Sequence, residues 1–154
     1  MSIEDDVAFL EKVPTFAVLG RPALRILAIG AENRNMAAGE ILFRAGDRAD
    51  AGFVIMQGEL NLRSIDHDIS HHSTVARRGT LLGEFALFTE TTRTVTAIAL
   101  TPAALLRIPR TLFLKMLEGF PDAASQLRAH MASRLDRTAN DIVGLRDAFR
   151  APEG

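Results

Sequence analysis

Leu82-Gly83-Glu84-Phe85-Ala86-Leu87-Phe88-Thr89-Glu90-Thr91-Thr92-Arg93-Thr94-Val95-Thr96-Ala97 carries more information than any other segment of its length in this chain. Gly83 permits a close backbone approach, because it has no Cβ to collide with a neighbour. Glu84 to Phe88 reads as one short helical turn, and such a turn points its first N–H groups outward, where they can seat a phosphate. Arg93 follows and opens a strand in this reading. A guanidinium fork opposite exposed amides suits a singly charged phosphodiester. A carboxylate beside that site, Glu84, can accept a sugar hydroxyl. Glycine, carboxylate, amide turn and arginine together fit a sugar phosphate. The spacing alone is equally met by a surface ion pair of Arg93 with Glu84 or Glu90.

The residues on either side, 33–109, alternate short β-prone runs with glycine. The runs are Glu40–Phe43, Gly52–Met56, Glu59–Arg63, His72–Val75, Arg93–Ile98 and Ala104–Ile108, and the breaks are Gly39, Gly46, Gly58, Gly79 and Pro102. Many short strands with turn signals predict a sandwich, barrel or jelly roll. Gln57-Gly58, between two apolar runs, predicts a tight hairpin in which Gly58 supplies a positive φ.

Helical periodicity brackets this β region. Before it, Val7, Leu10, Val13 and Phe16, then Leu24, Leu27 and Ala28, fall at helical spacing over residues 3–31, broken by Pro14 and by Gly20-Arg21-Pro22. After it, Arg110–Glu118 reads as a short helix stopped by Gly119, and Pro121 sits where a first helical turn tolerates proline. From there to Phe149 the chain contains no further proline. Met131, Leu135, Ile142, Leu145 and Phe149, with Thr138 in the gap, make a heptad seam. That seam predicts a homodimer through 127–149; the same stripe also fits an amphipathic helix lying on its own domain. The expected organisation is one domain in three parts: an N-terminal helical segment 1–32, a β-roll 33–109 holding the cassette 82–97, and C-terminal helices 110–149.

Composition sets outer bounds. The 154 residues fit one domain, and 47% hydrophobic residues suffice for a core. A formal net charge of −1 argues against a broad basic field for nucleic acid. No cysteine is present, so disulfides, iron–sulfur clusters and thiol chemistry are excluded. The acidic start is not signal-like, and Val95–Leu106 is too short to span a membrane. A cytoplasmic location without membrane contact is expected. Tyr and Trp are absent, so base stacking falls to Phe, Arg or His.

Gly83-Glu84-x-Ala86-Leu87 followed by Arg93-Thr94 and Ala97 resembles the phosphate-binding cassette of the cyclic-nucleotide-binding domain family, which includes the catabolite activator protein and the regulatory subunits of cyclic-nucleotide-dependent kinases. Further segments carry the likeness over about residues 10–148. Val13-Pro14-x-Phe16 is similar to the family's N-terminal helical segment. Ala38-Gly39-Glu40-x-Leu42-Phe43-x-x-Gly46-Asp47 is similar to its first hairpin, and Phe53-Val54-Ile55-x-x-Gly58-Glu59-Leu60 to its next pair of strands. The helix from Phe120-Pro121-Asp122 through Arg134 and Thr138 is similar to the long C-helix of the activator.

The resemblance implies a mainly β, jelly-roll fold with flanking helices and a long C-terminal helix. It implies that Glu84 accepts the ribose 2′-hydroxyl and that Arg93 pairs with the cyclic phosphate. Backbone amides near Gly83, Phe85 and Ala86, with the Thr94 hydroxyl, complete the cradle, while Thr138 contacts the purine and Arg134 is a further candidate facing the pocket. The family pattern is departed from at Thr92 (often proline), at Leu82 (often phenylalanine), in Thr89–Thr91 (often with glycine) and at Ala139 (serine in the activator). Thr94 leans toward cGMP and Thr138 toward cAMP; cAMP is the expected ligand and cGMP the second. Neither a catalytic residue, a metal nor a cofactor is expected. With only Arg150–Gly154 after Phe149, no DNA-binding domain is expected, and output passes to an effector protein.

Two other functions fit part of the sequence. One is a ligand-free dimeric scaffold of the same fold. The other is a jelly-roll metal enzyme using His67, His71 and His72 with Asp68, although those residues lie in a polar stretch, His67–Ser73, that reads as a hairpin loop.

Overall fold

The apolar run around Phe53 is long because its strand is covered on both faces. In the computed structural model, which describes residues 2–65 and 71–134, β4 (Ala51–Gln57) is buried from Ala51 to Met56. Side chains alternate along a strand. Phe53 and Ile55 point into the barrel with Met36, Phe43, Leu60, Leu82 and Leu105. Val54 and Met56 point outward to a second core built with the helices.

All strand pairs are antiparallel. One sheet has the order β1-β10-β4-β7: β1 is Glu32–Met36, β7 Leu81–Leu82 and β10 Ala103–Pro109. The other has the order β2-β9-β5-β6, with β2 at Ile41–Phe43, β5 at Leu60–Ile65, β6 at His71–Ala76 and β9 at Thr96–Ala99. A two-stranded ribbon pairs β3 (Arg48–Ala49) with β8 (Thr91–Thr92). This is a jelly-roll-like arrangement: of the described strands, only β5 and β6 pair as neighbours in sequence.

That topology corrects two expectations. Gln57-Gly58 does not close a hairpin, because β4 pairs with β10 and β7 whereas β5 pairs with β6 and β9. It carries the chain from one sheet to the other. Gly58 does have a positive φ, 89°, and a Cβ there would lie 2.4 Å from the Pro102 carbonyl oxygen. Likewise, Ala38–Asp47 does not fold as a hairpin of its own, since β2 pairs with β9 and β3 with β8.

The helices cover one side of the barrel. α1 (Ile3–Leu10) begins at a capping box in which Ser2 and Asp5 satisfy each other's backbone N–H. α2 (Arg21–Gly30) begins after Gly20 with Pro22 in its first turn, where the missing N–H costs nothing. Turns occupy residues 11–19 between them. α3 is Arg110–Gly119, and α4 runs over 121–134. Phe113 of α3 lies at the centre of this outer core, 6.1 Å from Phe16 and 5.4 Å edge-on from Phe88 between ring centroids. α4 docks through Ala123 and Leu127, with Met131 partly buried on the same cluster. Its described part therefore lies on its own domain, and Leu127, 2% exposed, is committed there. Leu135, Thr138, Ile142, Leu145 and Phe149 lie outside the described residues.

Candidate functional site

Arg93 does not open a strand. β9 begins at Thr96, and Arg93 lies between β8 and the bend at Thr94-Val95. Its backbone is fixed by the turn at Arg44–Asp47: the Arg93 N–H donates to the Asp47 carbonyl, and the Arg93 carbonyl accepts from Gly46 N–H, both at 2.8 Å. Asp47 in turn accepts from the Arg44 N–H at 2.9 Å, and Thr96 accepts from the Ala45 N–H at 3.0 Å. The Gly46-Asp47 turn thus aims the arginine.

The Arg93 side chain goes inward, and the residue is 7% exposed. Its guanidinium carbon stands 4.3 Å from the centre of the Phe43 ring and 5.5 Å from that of Phe53, which supplies cation–π attraction. Nη2 donates to the Ala51 carbonyl at 2.8 Å. Nε and Nη1 are shielded from solvent and have no hydrogen-bond partner among the described residues. Burial lowers the Arg93 pKa from its ordinary value; Asp50 opposes the shift, Arg107 adds to it and Asp47 opposes it. Arginine nevertheless keeps its charge. Among the described residues no carboxylate forms an ion pair with this buried cation, and two of its donor nitrogens are unsatisfied.

A hollow of about 260 Å³ adjoins it, lined by Phe43, Ala49, the turn Gly83–Ala86 and residues Thr91–Val95. Gly83 is in the left-handed region, φ 76°, at the start of a 3-10 turn over Glu84–Leu87. A Cβ on Gly83 would lie 2.3 Å from Arg93 Nη1. Glycine is therefore required twice here, by backbone conformation and by the guanidinium beside it. We expect Gly83→Ala to displace the end of the Arg93 side chain and weaken ligand binding at least tenfold, the scale of a lost charged hydrogen bond, while circular dichroism shows a folded chain.

Of the residues expected from sequence, Gly83, Glu84, Phe85, Ala86, Arg93 and Thr94 line this one hollow. Thr138 lies outside the described residues. The Ala86 amide is already engaged, donating to the Gly83 carbonyl at 3.0 Å. The open end of the turn therefore presents the Glu84 and Phe85 amides, which precede its first internal bond. Phe85, 63% exposed, also rims an apolar hollow of about 440 Å³ against Leu117, Leu127 and Met131 of α3 and α4. Arg134 is outside the lining of the arginine hollow but touches its edge: Nη1 donates to Glu84 Oε1 at 2.5 Å.

Sequence reasoning missed four participants. Phe43, Phe53 and the Ala51 carbonyl surround the guanidinium, and Thr15 donates to Glu84 Oε2 at 2.6 Å. For Thr15 a signal existed: it is a polar residue inside the apolar Val13–Phe16 stretch. The histidine reading changes as well. His71 and His72 belong to strand β6 rather than to a loop. His67 and Asp68 lie outside the described residues, and no three potential ligands converge among the described ones. No described helix is long and apolar enough to cross a membrane.

An antiparallel β-roll thus holds an inward arginine beside a glycine-led turn. Residues 33–120 match the cyclic nucleotide-binding domain, and the chain belongs to that family. It is 29% identical to the N-terminal domain of a transcriptional regulator from Streptomyces coelicolor A3(2), superposing with a TM-score of 0.80 over 87% of this chain and 94% of that one. It is 36% identical to a cyclic nucleotide-binding-like protein from Brucella abortus, with a TM-score of 0.66 over 74% of this chain and 98% of that one. It is also 36% identical, over 65% of its residues, to isozyme 1 of the cGMP-dependent protein kinase of Drosophila melanogaster, of whose length it spans 13%. It spans 8% of the lysophospholipases of Chaetomium globosum and Neurospora crassa that it also matches.

Proposed function

We propose that this chain is a cyclic-nucleotide receptor module, for cAMP first and cGMP second, that passes its ligand state to a partner protein through α4. The observation that carries the proposal is the Arg93 guanidinium, buried, charged and short of partners at Nε and Nη1 beside a hollow of about 260 Å³. A cyclic phosphate supplies both the charge and the acceptors. Leaving a buried donor unsatisfied costs about 1–3 kcal/mol, and more for a charged group, so an anion that satisfies it recovers that cost. Glu84, across the turn, offers its carboxylate to the ribose.

Signalling follows from position. Phe85 and Glu84 sit in the cassette, and α4 lies against both through the apolar hollow and Arg134. A ligand moves α4 only to the extent that it binds one arrangement better than another. The dimer along 127–149 belongs to this proposal, although Leu127 and Met131 pack on the protomer's own core. No direct role on DNA or on a membrane, no catalysis and no cofactor enter it, and the setting is cytoplasmic.

The scaffold reading has one observation in its favour: both Glu84 oxygens already have donors, Thr15 and Arg134. A thermal melt separates the two readings. A ligand at a hundred times its Kd adds about 2.7 kcal/mol, which for a chain of this size raises Tm by roughly 5–11 °C. We expect that rise with cAMP and a smaller one with cGMP at equal concentration. An unchanged melting curve with both nucleotides at millimolar concentration refutes the receptor reading and leaves the scaffold.

A further inference from the structure

The Glu84 carboxylate is held from two sides by residues of very different exposure. Thr15, on Oε2, is 3% exposed and lies in the turns between α1 and α2. Its neighbours Val13 and Phe16 are sunk in the outer core, so the backbone carrying Thr15 is anchored on both sides. The buried hydroxyl donates to the carboxylate at 2.6 Å, a short, charge-assisted bond. Arg134, on Oε1, has a side chain 45% exposed and belongs to the last described turn of α4. One oxygen thus faces a fixed post and the other a long, solvated arm.

We propose that Thr15 is a positioning residue for recognition of the ribose 2′-hydroxyl: it fixes Oε2 of Glu84, so that Oε1 is the acceptor for which the sugar and Arg134 compete. The inference rests on the receptor reading above and adds a specificity determinant to it. Thr15 does not line the hollow and acts only through Glu84. Without its hydroxyl, Oε2 loses the Thr15 donor, and the cost of an unsatisfied acceptor turns the carboxylate toward Arg134 and solvent. The sugar then finds no aligned acceptor. The same arrangement links ligand to helix, because a sugar hydroxyl donating to Oε1 takes the place of an Arg134 bond. The N-terminal turns, the cassette and α4 therefore meet at one carboxylate.

The test compares the wild-type chain with Thr15→Val and Thr15→Ser by calorimetric titration with cAMP, cGMP and the 2′-deoxy form of each. The ratio of the 2′-deoxy Kd to the ribo Kd isolates the sugar contact from the phosphate contact. A hydrogen bond to a charged group sets that ratio at about tenfold or more in the wild type. We expect it to fall to near one in Thr15→Val and to return in Thr15→Ser. Thr15→Ala removes the hydroxyl without adding bulk and gives the same readout should the valine variant not fold. A wild-type ratio kept in Thr15→Val or Thr15→Ala overturns the proposal, as does a wild type that binds both sugars equally. Failure of the receptor reading looks different: no nucleotide of either sugar binds the wild type.

Discussion

Arg93→Ala lowers the affinity for cyclic nucleotide by roughly thirtyfold to several-thousandfold, and calorimetry reads the loss directly. Truncating one partner of a buried, hydrogen-bonded charge pair costs about 2–5 kcal/mol, and each 1.4 kcal/mol is tenfold. The upper part of that range is expected, because Arg93 has little solvent to screen its charge and no second described cation reaches into the hollow. The variant folds. Its side chain leaves the Phe43 and Phe53 rings and frees the Ala51 carbonyl, but it also removes a desolvated charge with two unpaired nitrogens. These effects on stability oppose each other, whereas the effects on binding all have one sign. Arg93→Lys keeps the charge and loses the planar fork, so its affinity falls between those of the alanine variant and the wild type.

Gly58→Ala is expected to be the most damaging small substitution in the β-roll. At φ 89° an alanine pays for a left-handed backbone, about 1–2 kcal/mol. Its Cβ would also stand 2.4 Å from the Pro102 oxygen and 2.8 Å from the Ala103 Cα. Those are backbone atoms at the start of β10, so no side chain can swing aside. Overpacking of this kind adds about 1–3 kcal/mol. A sum near 3 kcal/mol lowers Tm by roughly 6–12 °C in a chain of this length. Gly39→Ala is the control. It has a similar φ, 88°, but its Cβ meets nothing within 4 Å, so only the backbone cost remains and the shift is about half as large. Equal shifts for the two variants would refute the close approach at Gly58.

The sequence revealed where strands lie better than how they pair. The runs around Phe53, Leu60 and Leu105 stand within a residue or two of β4, β5 and β10, because β-branched and aromatic residues bounded by glycine mark extended chain locally. Pairing is not local. Gln57-Gly58 looks like a hairpin turn because the glycine satisfies the same φ whether the next strand folds back or crosses to another sheet. β1, Glu32–Met36, escaped notice because four of its five residues are exposed and polar. It earns its place only through its register with β10.

The site was legible to a different depth. The cassette is contiguous, so Gly83 through Thr94 were found together as one motif. The contacts that give Arg93 its character come from elsewhere: Phe43 from β2, Ala51 and Phe53 from β4, the Gly46-Asp47 turn from the loop before β3. Nothing in the spacing of those residues signals a common centre. Thr15 is the extreme case, since its partner Glu84 is 69 positions away. Only a fold that brings the N-terminal turns against the cassette makes its hydroxyl part of the site.

The central claim is that the Arg93 guanidinium, inside the roll beside the Gly83 turn, is the seat of a cyclic phosphate. A crystal structure of the wild-type chain grown with cAMP tests it most directly. The prediction is a phosphodiester oxygen within hydrogen-bonding distance of Arg93 Nε or Nη1, with the ribose facing Glu84. An ordered nucleotide bound anywhere else, or an Arg93 side chain left without an anion at saturating cAMP, contradicts it.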